Sequence, residues 1–143
     1  MGNLIESVEH GDQVLALYDG EKHRKLVDLL NHDPKTLVGV YSSICTWMLG
    51  YSDRAVRLND EKDAHARRRA HPFDLGFALT VGAEVFDYRC EPDELRKRAE
   101  ECERLGRDNR CRCCGHCWHP LAMAWHSSGK ARQLKALPRL RPA

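Results

Sequence analysis

Between Cys111 and His119 the chain reads Cys111-Arg112-Cys113-Cys114-Gly115-His116-Cys117-Trp118-His119, four cysteines and two histidines in nine residues. Thiolate sulfur and imidazole nitrogen are the ligands zinc prefers, four at a time in a tetrahedron. Cys114 and Cys117 stand at the Cys-x-x-Cys spacing, and with Cys111 and His119 they make a candidate zinc set. A zinc finger ordinarily adds a second ligand pair about 12 or more residues away. Here only His126 follows, standing alone. The other candidates for chemistry are thinner. His23, His32, His65 and His71 fall in different segments, and no pair stands four apart with a carboxylate in a metal-site pattern, so each reads as a surface or capping residue. Cys45, Cys90 and Cys102 have no base nearby in sequence and read as buried small apolar groups. Gly129-Lys130 is followed by Ala131 and lacks an upstream glycine, which excludes a phosphate-binding loop. Arg67-Arg68-Arg69 could meet an anion but reads as a solvated helix face. No catalytic or cofactor-binding residue emerges.

The bulk properties agree with a non-enzymatic reading. At 143 residues the chain supports one domain. Net charge is +2, unevenly placed: residues 107–143 hold eight Lys/Arg and one acid, Asp108, for +7, which leaves the body at −5. No run approaches the roughly 20 apolar residues of a membrane span. The start, Met1-Gly2-Asn3-Leu4-Ile5-Glu6, lacks a signal-peptide core and has Glu6 where myristoylation wants Ser or Thr. Seven cysteines, an odd number, fit reduced thiols better than a disulfide framework. A cytoplasmic location with no membrane partner is expected.

The elements are helical by their apolar spacing. Residues 3–18 form a first helix, broken or frayed near Gly11. Tyr18-Asp19-Gly20 is a turn, Glu21–Leu30 a short helix, and His32-Asp33-Pro34 ends it. Lys35–Leu49 is the clearest core helix, through Leu37, Val40, Tyr41, Ile44, Trp47 and Met48. Gly50 suits the left-handed turn that follows, with Ser52 or Asp53 capping the next helix. That helix, Asp53–Ala70, is highly charged, Lys62 and Asp63 included, and its buried stripe is thin: Ala55, Leu58, Ala66 and Ala70. Ala55 allows a close approach. Pro72 opens an apolar inner helix over Phe73–Arg89, and Pro92 opens another, with Leu95, Ala99, Cys102 and Leu105 inward, closed by Gly106. Asp33-Pro34 and His71-Pro72 lie 38 residues apart, which suggests a repeat of helical hairpins that bury their apolar faces by stacking.

At Leu49-Gly50-Tyr51-Ser52-Asp53-Arg54-Ala55 and His71-Pro72-Phe73-Asp74-Leu75-Gly76-Phe77-Ala78-Leu79, and again at His32-Asp33-Pro34, the chain resembles the tetratricopeptide-like helical region of large bacterial predicted ATPases and adenylate/guanylate cyclases. It departs from that pattern at Ser52, Arg54, Asp74 and Gly76. The likeness spans about residues 18–106. It implies structural repeat positions at Trp47, Gly50, Tyr51, Ala55, His71, Pro72, Phe73, Phe77 and Ala78, and no active site in the matched part. Cyclase chemistry is not implied, since no strand pattern is present to carry metal-binding aspartates.

The expected fold is therefore all-α: about six helices as stacked antiparallel hairpins in a right-handed tetratricopeptide-like superhelix over residues 1–106. Residues 107–143 form a basic Cys/His-rich tail, disordered or loosely helical. The tail's composition is also that of GC-rich DNA read out of frame. A frameshift near Arg110 in a longer parent is one expectation, and a zinc or nucleic-acid contact through the tail is another. For the body the expectation is a non-catalytic scaffold that binds a protein or peptide, or pairs with itself through an uncapped helical face. Trp47 and Tyr51 could line a partner groove, but packing between hairpins is the role preferred for them.

Overall fold

The computed structural model describes residues 3–30 and 32–108. The candidate zinc set Cys111, Cys114, Cys117 and His119 lies outside the described residues, as does the rest of the tail beyond Asp108. Among the described residues every regular element is a helix: α1 (Leu4–Leu17), α2 (Arg24–Leu30), α3 (Pro34–Met48), α4 (Ser52–Arg69), α5 (Pro72–Val81), α6 (Glu84–Tyr88) and α7 (Pro92–Asp108). The all-α class and the hairpin stack are as expected. The turn through Gly50 folds α4 back along α3, and α7 returns against α5 and α6. Tyr18, just after α1, reaches Asp33 just before α3, while Gly11 halfway along α1 meets Ser42, so α1 runs antiparallel to α3.

Local chemistry sets the boundaries. Asp33 caps α3 by accepting from the Thr36 N–H at 3.0 Å, with Pro34 first in the helix. A ring nitrogen of His71 accepts from the Asp74 N–H at 3.4 Å, with Pro72 first in α5. Gly50 takes φ +91°. Ala70 (φ 52°) and Cys90 (φ 55°) make the left-handed turns after α4 and α6, although L residues meet a Cβ–carbonyl clash there. Replacing Ala70 with Gly should therefore stabilise the fold by about 0.5–1 kcal/mol, measured by urea unfolding.

The core gathers Val40, Ile44, Ala55 and Val85, with Trp47, Val56, Phe77 and Val81 around it. A smaller cluster joins Leu79 to Cys102, flanked by Leu75 and Leu105. Helix α3 is enclosed on several sides, because its buried residues include Thr36, Gly39, Ser42, Ser43 and Thr46, all small. Gly11 does not break α1. A Cβ there would sit 2.3 Å from Ser42 Oγ, so the glycine is what lets the two helices close.

Several expectations need correction. Tyr41 and Met48, expected in the α3 core stripe, are exposed, since the core side of α3 is taken by Val40, Ile44 and the small residues. Ser52 and Asp53 do not cap α4: its N-cap is Tyr51, without a side-chain bond, and the Ser52 hydroxyl accepts from Arg89 Nη1 at 2.7 Å. Ala70 is an exposed C-cap instead of a stripe residue. The single helix expected over Phe73–Arg89 is parted at Gly82-Ala83 into α5 and α6, and α7 runs through Gly106 to Asp108. Cys102 is buried as expected, Cys45 is half-buried, and Cys90 is exposed on its turn.

Candidate functional site

Two polar clusters sit inside the helical stack. The first surrounds Asp33, whose side chain is 0% exposed. Its carboxylate accepts from Tyr18 Oη (2.6 Å), the Thr36 N–H (3.0 Å) and Thr36 Oγ1 (3.3 Å). His65 Nε2 lies 2.9 Å away and Arg69 Nε 3.2 Å away. The Asp33 N–H in turn donates to Asp74 Oδ1 at 3.0 Å, across to the next hairpin. Asp74 is equally buried, with His32 Nδ1 at 3.3 Å and His71 Nδ1 at 3.1 Å. The starts of α3 and α5, the end of α1 and the last turns of α4 are thus drawn together by two carboxylates. Burial opposes the Asp33 charge, but hydrogen bonds from His65, Tyr18 and Thr36 outweigh it and hold the carboxyl far below the usual range. Burial, then the Asp33 bond and charge, push the Tyr18 hydroxyl up to about 12.

The second cluster centres on Lys62, 3% exposed, whose ammonium donates to Asn59 Oδ1 (2.7 Å) and the Ala78 carbonyl (2.9 Å) and stands 2.9 Å from Asp63 Oδ1. Arg98 Nη2 meets Asp63 Oδ2 at 2.5 Å, and its guanidinium lies 4.3 Å from the Phe86 ring centre. Burial, opposed by Asp63, pulls the lysine down to about 8. A Cβ on Gly82 would fall 2.0 Å from the Lys62 nitrogen and 2.3 Å from the Ala78 oxygen, so this glycine leaves the space the ammonium occupies.

Neither cluster has the form of a catalytic pair. The Asp33 carboxylate is occupied by donors on both oxygens, and Tyr18 is shifted away from phenolate. Lys62 is engaged on all sides and shut off from water. Among the described residues, no group of three His, Cys, Asp or Glu could hold a metal ion.

The groups make pH dependence readable. Unfolded Lys62 titrates at its ordinary 10.5, so between about 8 and 10.5 the unfolded chain binds more protons and stability rises with pH. Tyr18 contributes stability in full below 10 and loses it as pH climbs toward about 12. Asp33 contributes above its unfolded value of 3.8 and loses that contribution as acid drives the pH down through its depressed folded value. The urea midpoint should therefore climb above pH 8, by about 1–3 kcal/mol in unfolding free energy, then fall beyond pH 10. The Lys62→Met variant should lack the climb.

The outer surface differs. Arg89 donates to Ser52, which brings the α3–α4 turn against the α6–α7 turn. Trp47 and Tyr88 stack there with ring centres 6.2 Å apart. Met48 is 54% exposed and Tyr51 61%. No family model matches the chain, and no curated protein or solved structure matches it.

The proposed repeat residues separate into inner and outer sets. Ala55 and Ala78 are fully buried, and Trp47 and Phe77 pack against the core. His71 and Pro72 start α5, and the Phe73 and Phe77 rings lie 4.7 and 4.9 Å from His32. Gly50 makes its turn, while Tyr51, expected between hairpins, projects to solvent because the turn carries it past the end of the core. His65, Asp33, Asp74, Lys62, Asp63, Arg98 and Gly82 were not singled out as a site by sequence, and Arg67-Arg68-Arg69 is not uniformly solvated: Arg69 reaches Asp33 and Arg67 makes a two-point contact with Glu101. A usable signal existed on α4, where Ala55, Asn59, Lys62, Asp63 and Ala66 continue one helical face.

Proposed function

We propose that the chain is a non-catalytic, tetratricopeptide-like helical-repeat scaffold for protein–protein interaction, of the kind found in larger cyclase- or ATPase-type signalling proteins. The observation that carries this reading is the contrast between interior and surface. The acid–base groups are engaged in joining helices, while Trp47, Met48, Tyr51 and Tyr88 gather at an outer end. Tyr and Trp are the side chains that dominate protein recognition energetics. A photo-crosslinking residue placed at Met48 in cells tests it, with Ala64 on the exposed side of α4 as the comparison. A defined protein adduct from position 48 alone supports the scaffold. Identical adducts from both positions, or none, contradict it.

Self-pairing is a second use of the same kind of surface. Leu17 and Leu29 are each 78% exposed and Ile5 59%, which favours association through α1 and α2. Light scattering during size-exclusion chromatography should show dimer at micromolar concentration, and a clean monomer would count against it. The alternative reading, a small zinc-binding or nucleic-acid-associated protein, rests on Cys111, Cys114, Cys117 and His119 and on the basic tail. Stoichiometric zinc in reduced protein, lost in the Cys114→Ser, Cys117→Ser variant, would favour it.

A further inference from the structure

We infer that the aromatic end formed by the α3–α4 and α6–α7 turns docks a basic, Arg- or Lys-bearing segment of another protein. The inference rests on the scaffold reading and adds the chemistry of the partner. Trp47 and Tyr88 are stacked, Tyr88 is exposed, and Tyr51 projects from the adjoining turn. The ring faces carry negative quadrupole potential, which attracts guanidinium and ammonium groups. Exposed carboxylates stand beside them. Glu84 and Asp87 are exposed on α6, and the Tyr88 hydroxyl donates to Glu84 at 3.2 Å. The Asp53 side chain is 89% exposed at the start of α4. Two cations stand nearby. Arg89 is already engaged by Glu91 at 2.6 Å and Ser52 at 2.7 Å, with Asp53 at 3.8 Å, and Arg54, next to Asp53, is engaged by Asp12 at 3.2 Å. The carboxylates of Glu84 and Asp87 therefore face solvent beside aromatic surface, and that pairing selects a cationic, partly apolar segment over an acidic one. The opposite end of the stack is built differently: there Asp33 and Asp74 are enclosed by His32, His65, His71 and Arg69, leaving no carboxylate of that pair to an outside cation.

The test uses the full chain and three dye-labelled twelve-residue peptides followed by fluorescence anisotropy: arginine alternating with leucine, and the same peptide with glutamate or with serine in place of arginine. The arginine peptide should bind, and the affinity should fall as salt is raised. Glu84→Lys with Asp87→Lys should weaken it at least tenfold, and Tyr51→Ser several-fold. Glu100→Lys with Glu103→Lys, the same charge change on α7, should leave it within twofold. If the glutamate or serine peptide binds as tightly and is released by Tyr51→Ser, the charge selection is wrong and the docking surface stands. If the arginine peptide binds but is indifferent to the α6 reversals, the surface is assigned wrongly. If none of the three binds, the inference of a basic partner is wrong, while the cross-link from position 48 decides the scaffold reading separately.

Discussion

Substituting Gly82 with Ala should cost about 3–5 kcal/mol of unfolding free energy, read from urea denaturation. The added methyl would stand 2.0 Å from the Lys62 ammonium and 2.8 Å from Asn59 Oδ1, both inside the stack. The ammonium cannot shift without leaving the Ala78 carbonyl and Asp63, and a buried charge stripped of partners is among the most costly defects a core can hold. The methyl would also press on the Ala78 oxygen at 2.3 Å, which is backbone and cannot swing aside. Gly50 provides the comparison. It needs its left-handed φ of +91°, but nothing lies within 4 Å of a Cβ there. Gly50→Ala should therefore cost only about 1 kcal/mol. Equal losses at the two glycines would mean that Gly82 is chosen for backbone freedom and not for the lysine.

The second large effect is at Asp33. Asp33→Ala should cost about 3–5 kcal/mol, because one deletion removes the α3 cap, the Tyr18 and His65 partners and the counter-charge of Arg69. Asp53, a carboxylate at the start of α4 but exposed, should cost within about 0.5 kcal/mol when changed to Ala. Thermal and urea unfolding of the two variants beside the parent chain would show whether position in the interior, and not residue type, sets the difference.

Much of this architecture is legible in the sequence because its signals are local. Pro34, Pro72 and Pro92 announce helix starts, Gly50 announces a turn, and Val40, Ile44 and Ala55 fall on faces that repeat every three to four residues. The sites were less legible because they depend on which helices meet. His32, Asp33, His65, Asp74 and Tyr18 come from four separate stretches, and no spacing rule relates position 18 to 33 or 33 to 74. Lys62 and Asp63 look like solvated charges in a run of charged residues. Only the face they share with Ala55 and Ala66, and a glycine 20 positions later, mark them as interior. Gly11 misleads for a related reason: intrinsic propensity disfavours glycine within a helix, while the close contact with Ser42 needs it.

A double-mutant cycle on Asp33→Asn and Asp74→Asn, by urea unfolding of the full chain, bears most directly on the claim that the buried carboxylates clasp neighbouring hairpins. The Asp33 side chain caps α3 and so fixes the backbone N–H from which Asp74 Oδ1 accepts, while His65 serves the first carboxylate and His32 and His71 the second. Losing the cap should loosen the bond to Asp74, so the two losses should be non-additive by about 1 kcal/mol or more. Additive losses, agreeing within about 0.5 kcal/mol, would show two independent caps and contradict the clasp.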